Sequence, residues 1–295
     1  MTEEMVYLNG VLLPRSQARI SVFDHGFLYG YALFETMRAY GGRIFLLERH
    51  LERLRSSARL IGFGSELSDT DLSQACRDTL RANQLADARL RLTVSRGEVD
   101  SFPGSKVSAV PTVLVTARSY TALPAEAYDR GFKAGVASYR RCSQSVISRL
   151  KSANYLLNLL AKREAEMAGL DEALLLNEHG LITEGSISNV FFVASRDLVT
   201  PSVEAGILPG ITRGVVMEIA TAQGIGVIQG EIRLSDLGQF DEAFLTNSVM
   251  EIMPLVAVRD HDGRVTRIGS GKPGRLTRQL MAAYREMVVR ETAGG

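Results

Sequence analysis

The chain has 295 residues, with 34 Lys plus Arg against 33 Asp plus Glu, so its formal net charge is +1. It holds 4 His, 2 Cys and no Trp. A near-neutral chain argues against a nucleic-acid or membrane-surface binder. Cys76 and Cys142 make neither a disulfide framework nor a CxxC pattern, and His25, His50, His179 and His261 fall in no HxH or HxxxH spacing. No metal ligand set is expected, and an enzyme of this composition would borrow its chemistry. With 45% hydrophobic residues the chain can bury a core without staples. Its length suits two domains or one large one.

The N-terminal MTEEMVYLNG is acidic and lacks the apolar stretch of a signal peptide. No apolar run reaches the ~20 residues of a membrane span. The expected location is the cytoplasm.

Val6–Leu8 and Val11–Leu13 flank Asn9-Gly10, a type I′ hairpin signal. A second strand pair, 33–39 and 43–47, surrounds Gly41-Gly42. Leu47, Leu51, Leu54 and Ala58 share one helical face, which predicts a helix over 47–60. A further helix is expected at 71–83, with strands at 89–95 and 112–117. Residues 118–125 (RSYTALPA) lose the periodicity and read as a linker between a smaller N-terminal domain (1–117) and a larger C-terminal one (126–295). Beyond it, strands are expected at 133–139, 172–176, 189–193 and 242–246, and helices at 154–167, 212–222 and 275–289. The mixture points to an α/β or mixed α+β class, not a plain βαβ repeat.

Five short segments could carry chemistry, each with an ordinary structural reading beside it. Leu208-Pro209-Gly210-Ile211-Thr212-Arg213 opens a helix, where Thr212 could cap and free N–H groups suit a phosphate. Lys151 precedes an apolar helix and could be a buried amine able to form a Schiff base, or a solvated Lys. Glu184 is the one carboxylate among Thr183, Gly185, Ser186, Ser188 and Asn189, before the strand Val190–Val193. Thr246-Asn247-Ser248 brings hydroxyl and amide groups to a strand end. His50 and Arg53, three apart, share a helix face distinct from the Leu face, as an anion anchor or a solvated face. Gly269-Ser270-Gly271-Lys272-Pro273 is no P-loop, because Pro follows the Lys and Thr266 stands where the first Gly should be.

Taken in order, HLERL, KSANYLLNLLAKREA, ITEGSISNVFFV, ILPGITR and EAFLTNSVMEIMPL resemble the class IV (fold type IV) pyridoxal-phosphate enzymes. That family holds branched-chain aminotransferases, D-amino acid aminotransferases and aminodeoxychorismate lyases. The resemblance runs from about Tyr7 to Tyr284. It implies a two-domain fold of the D-amino acid aminotransferase-like type, pyridoxal 5′-phosphate as cofactor, and a homodimer with sites at the interface. It makes Lys151 the Schiff-base lysine, Glu184 the carboxylate on the pyridine nitrogen and Arg53 the arginine on the cofactor phosphate. Ile211 and Thr212 would give that phosphate backbone N–H groups, and Ser248 a hydroxyl. Tyr155 matches the tyrosine beside the cofactor's phenolic oxygen. It lies four residues after Lys151, where some aminotransferases of the group have five.

Within the family, Phe34-Glu35-Thr36-Met37-Arg38 resembles the FETxR of bacterial aminodeoxychorismate lyases, and Thr246–Ile252 also looks like those enzymes. Branched-chain enzymes more often read FEGIR and carry a Gly-Thr-Ala-Ala run. Residues 96–102 lack the Arg-x-His carboxylate trap of the D-amino acid enzymes. Gly30-Tyr31-Ala32 stands where the family commonly has Gly-Asp-Gly. The expectation is a 4-amino-4-deoxychorismate lyase giving 4-aminobenzoate and pyruvate, a step of folate biosynthesis. The alternative is an aminotransferase for branched-chain or D-amino acids, and a non-catalytic phosphate-ligand protein stands behind both. Substrate-side candidates are Tyr29, Phe34, Arg38, Arg91 and Asn247.

Overall fold

The computed structural model describes residues 3–64, 67, 70–99 and 110–293. Asp100, Ser101 and Phe102, at the end of the trap region, lie outside the described residues. The chain divides into two compact units. The first comprises Met1–Thr121, Leu150–Asn154 and Arg290–Gly295, and the second Ala122–Arg149 and Tyr155–Val289.

The first unit is a six-stranded antiparallel sheet in the order β2-β1-β6-β5-β3-β4. Its strands are β1 (Met5–Leu8), β2 (Val11–Pro14), β3 (Ala32–Tyr40), β4 (Arg43–Ile44), β5 (Ala88–Ser95) and β6 (Thr112–Ser119). Asn9 and Gly10 take φ of 47° and 95°, the left-handed pair that a type I′ turn between β1 and β2 requires. Helices α1 (His25–Tyr29), α2 (Leu47–Leu60) and α3 (Leu72–Ala82) complete the unit. The strands alternate. Leu33, Met37, Ala39, Leu90, Leu92, Val94, Val113, Val115 and Ala117 face one side, where Leu47, Leu51, Leu54, Ala58, Leu72, Cys76 and Leu80 of α2 and α3 close the core. Asp71 caps α3 through the Gln74 N–H at 2.9 Å.

Helix α1 and the segment Leu150–Asn154 depart from the sequence expectation. The short helix α1 carries no apolar periodicity. It is set by Asp24, whose carboxylate accepts from the Gly26 N–H at 2.7 Å, the Ser95 hydroxyl at 2.7 Å and the Thr112 hydroxyl at 2.6 Å. Leu150–Asn154, placed by the sequence reading inside the C-terminal domain, belongs to the first unit. Its backbone pairs with the start of β3: Phe34 donates to the Lys151 carbonyl at 2.9 Å and Ala153 to the Ala32 carbonyl at 2.8 Å. The reading of 126–295 as one continuous domain is corrected accordingly. The chain changes units between Thr121 and Ala122.

The second unit begins with α4 (Ala125–Arg130), β7 (Phe132–Arg141), α5 (Leu156–Met167) and β8 (Glu172–Asn177). Then come β9 (Ile182–Gly185), β10 (Asn189–Ala194), β11 (Asp197–Pro201), α6 (Ile211–Ala222) and β12 (Val227–Gly230). It ends with β13 (Glu242–Asn247), β14 (Glu251–Arg259), β15 (Val265–Arg267) and α7 (Arg275–Thr292). The sheet runs β12-β11-β10-β13-β14-β7-β8-β9, with β15 on β14. It is mixed, since β11/β12, β14/β7 and β7/β8 are parallel and the other pairs antiparallel. β8 and most of β10 are buried on both faces, which explains their continuous apolar reading. Among the described residues no helix is long and apolar enough to cross a membrane.

Replacing Asp24 with Ala should leave the Ser95 and Thr112 hydroxyls short of their acceptor. The expected loss is about 2–4 kcal/mol in urea unfolding.

Candidate functional site

In the first unit the sheet's period of two places Glu35 on the core side of β3, between Leu33 and Met37. A carboxylate there must be compensated. α2 supplies the groups, because His50 and Arg53 lie three residues apart and face β3. Arg53 Nε and Nη2 donate to Glu35 Oε1 at 2.8 Å and Oε2 at 2.6 Å, and His50 Nδ1 lies 2.7 Å from Oε2. His50 is therefore buried against a partner, and the solvated-face reading of this pair does not hold. Burial alone would raise the Glu35 pKa. The Arg53 charge and the His50 hydrogen bond outweigh it and bring the pKa down to about 2. Burial is also the main cause that pulls the His50 pKa below its ordinary 6.5, against the Glu35 hydrogen bond; the Arg53 and Lys151 charges add to the fall. A neutral His50 facing an ionised carboxylate carries its proton on Nδ1 and donates.

Lys151 lies on the segment paired with β3. Its Nζ stands 4.7 Å from the centroid of the Phe34 ring, and Arg91 Cζ stands 3.8 Å from the same centroid. Phe34 is buried and Arg91 exposed. Arg91 Nε also donates to the Thr93 hydroxyl at 3.3 Å. Two cations against one ring form a cation–π cluster that fixes the ring beside the amine. Arg38 lies instead between Tyr40 and Tyr120, at 4.3 and 4.7 Å from their centroids. Tyr29 is half exposed, with its ring edge-on to His25 at 5.1 Å. Tyr31, at the family's usual Asp position, donates its hydroxyl to the Ile61 carbonyl and meets Phe63 edge-on. It anchors the turn after α2.

In the second unit Glu184 sits on β9, not in a polar loop, and is buried. Oε1 is 2.7 Å from Arg141 Nη1. Oε2 accepts from Asn189 Nδ2 and the Leu208 N–H, both at 3.0 Å. Asn189 also donates to the Leu208 carbonyl at 2.9 Å. A carboxylate held on both oxygens is fixed in place. Glu172, which the sequence reading passed over, steadies the adjoining turn by accepting from the Ser186 and Ser188 hydroxyls. The Ser186 carbonyl in turn accepts from Tyr155 Oη at 3.2 Å and Asn158 Nδ2 at 2.7 Å.

The α6 N-terminus differs from expectation in one respect. Gly210, not Thr212, is the cap residue, and no side chain caps the helix. A Cβ at Gly210 would lie 2.0 Å from Asn189 Oδ1, so any larger residue would displace the Asn189 amide that braces Glu184. The first intrahelical bond runs from Gly214 to the Gly210 carbonyl, so helix geometry gives the N–H groups of Ile211, Thr212 and Arg213 no carbonyl of the helix. Thr212 is buried within this first turn. Arg213 points away, donating to the Pro201 carbonyl at 3.0 Å and to Gln229 at 2.8 Å. Asn247 Oδ1 accepts from the Val249 and Met250 N–H groups at 2.9 and 2.8 Å, while its Nδ2 reaches the Ile187 carbonyl at 3.2 Å. Its amide thus shapes the turn that carries the half-buried Ser248. That turn ends on Glu251, held at a φ of 63°. Thr246 Oγ1 is buried and finds no hydrogen-bond partner among the described residues. An uncapped helix start, an orphaned hydroxyl and a fixed carboxylate form a donor and acceptor set that fits a phosphorylated heterocycle.

A family model described as amino-transferase class IV matches residues 32–258. A Methanocaldococcus jannaschii protein provisionally named branched-chain-amino-acid aminotransferase is 38% identical over 96% of each chain. The Bacillus subtilis aminodeoxychorismate lyase is 36% identical over 96% of this chain and 94% of its own. The Escherichia coli branched-chain amino acid aminotransferase superposes with a TM-score of 0.89 at 31% identity, over 99% of this chain and 96% of that one. A second solved branched-chain amino acid aminotransferase, from T.th. and with pyridoxamine 5′-phosphate, gives a TM-score of 0.86 at 31% identity, again over 99% and 96%.

The buried triad sets a pH dependence. A folded pKa of about 2 for Glu35 lies below its ordinary 4.5, so its stabilisation is complete above 4.5 and lost as pH falls towards 2. The lowered His50 pKa acts in the same direction, withdrawing stability as pH falls below 6.5. The Glu35 share is about 3 kcal/mol. Urea midpoints measured against pH should fall steeply below 4.5 in the native chain and less steeply in Glu35→Gln.

Proposed function

Because the chain belongs to the class IV aminotransferase family, with pyridoxal 5′-phosphate as cofactor, we propose that it is an aminotransferase that takes the amino group of a branched-chain amino acid and passes it to a 2-oxo acid. The observation that carries this choice is likeness to branched-chain aminotransferases along nearly the whole chain, in sequence and in fold. It reverses the order suggested by the FETMR segment, which put the lyase first. The lyase stays as the second reading, favoured by that segment and by the Bacillus subtilis relative.

In this reading Lys151 is the catalytic amine. It holds the cofactor and takes the proton from the substrate carbon that bears nitrogen. The cofactor supplies an electron sink for the pair left behind. Glu184, fixed by Arg141, Asn189 and the Leu208 N–H, would hold the proton of the cofactor's ring nitrogen. The N–H groups of Ile211 and Thr212, the Ser248 hydroxyl and Arg53 take the phosphate. Tyr155, whose hydroxyl lies 3.2 Å from the Ser186 carbonyl, would serve the phenolic oxygen. Phe34 gives an apolar wall next to Lys151, suited to a branched aliphatic side chain, and Arg91, against the same ring, is the group for a substrate carboxylate. Arg38, Tyr29 and Asn247 remain assigned to the substrate side, Asn247 through the turn it shapes. The exposed side chains of Ile20, Val22, Phe23, Phe27 and Leu28 support assembly as a homodimer.

Purified protein offered leucine, isoleucine or valine with 2-oxoglutarate should form glutamate, while aminodeoxychorismate should yield no 4-aminobenzoate. Rapid release of 4-aminobenzoate and pyruvate, with slow amino transfer, would instead establish the lyase. Lys151→Ala should abolish turnover, and Glu184→Gln should lower kcat by about 100-fold.

A further inference from the structure

Glu35 and His50 have no place in the roles assigned above, yet they are among the most buried polar side chains of the first unit. Their neighbours on the same face of β3, Leu33, Met37 and Ala39, are apolar and fully buried. Stability does not explain a carboxylate in that company, because an apolar residue of similar volume commonly serves a core as well as a buried ion pair does. What the carboxylate does is geometric. Arg53 has a long, flexible stem, and a phosphate gains most from a guanidinium whose rotamer is already set. Glu35 grips the Nε–Nη2 edge with both oxygens, at 2.8 and 2.6 Å. His50, one helical turn before Arg53, donates to Oε2 and keeps the carboxylate plane from turning. The planar fork is thereby fixed through its Nε and Nη2.

We propose that Glu35 and His50 are positioning residues that set Arg53 for the cofactor phosphate. The proposal rests on the reading that Arg53 takes that phosphate. It has an unusual sign. Glu35 is an anion near a phosphate site, so charge alone predicts tighter phosphate binding when it is neutralised. Positioning predicts weaker binding.

The test compares the affinities of apoprotein for pyridoxal 5′-phosphate and for pyridoxal, which lacks the phosphate, by equilibrium dialysis. The ratio isolates the phosphate contribution, and thermal unfolding of the apoprotein monitors the fold. Glu35→Gln should lower the ratio at least about tenfold while pyridoxal affinity stays near native. Should Glu35→Gln fail to fold, Glu35→Asp keeps the charge but is one methylene too short to hold both nitrogens, and the same loss is expected. An unchanged or increased ratio, or an equal loss for both ligands, overturns the proposal. Arg53→Gln is measured alongside. If it lowers the ratio while the Glu35 variants do not, the positioning role alone falls. If it leaves the ratio unchanged, the assignment of Arg53 to the phosphate falls, and the proposal with it.

Discussion

The first unit is organised around the need to compensate one buried negative charge. Glu35 occupies a core position on β3, and a carboxylate out of water must find cations or donors for each oxygen. That need fixes the rotation of α2, since only one orientation brings His50 and Arg53 to β3 while Leu47, Leu51, Leu54 and Ala58 enter the core. It also fixes the register of β3. A slip of one residue would send Glu35 to the opposite face and leave Arg53 and His50 facing an apolar side chain.

The second unit solves a similar problem differently. Glu184 has one cation, Arg141, and two neutral donors, Asn189 and a backbone N–H. Arg141 is itself tied to the Gly206 and Ser148 carbonyls, so the network extends through β7 and the loop before α6. Gly210 lets Asn189 come close enough to brace both Glu184 and the loop. In each unit a carboxylate on a strand is immobilised by groups from other elements, and rigidity of this kind precedes any chemistry.

Much of this was visible in the residues. The helices at 47–60 and 275–289 and the Asn9-Gly10 turn follow from periodicity and turn chemistry and stand in the structure with small shifts at their ends. Elements without such signals were missed. α1 is five residues held by Asp24, and β9, β11 and β12 are four or five residues each, too short for a pattern to emerge. β14 escaped because its run is apolar on both faces. The ordered motifs brought Lys151, Glu184 and Arg53 forward, but not Glu35 or Glu172, whose partners lie 15 and 14 residues or more away in sequence. Glu35 did leave a trace, a lone charge at an inward position of an alternating strand.

The five residues Leu150–Asn154 bear on how this protein can be taken apart. They are flanked on both sides by chain belonging to the second unit, yet their backbone completes the start of β3. No cut in the region 118–125 can therefore yield an N-terminal fragment that keeps both the Phe34 ring and the amine that stands on it. A gene split there would separate the Lys151 amine from the Phe34 ring, and the two pieces would regain the contact only by reassembly. The covalent continuity of the chain in this sense completes the start of β3, and recombination between relatives must carry residues 32–40 and 150–154 together to preserve that pairing.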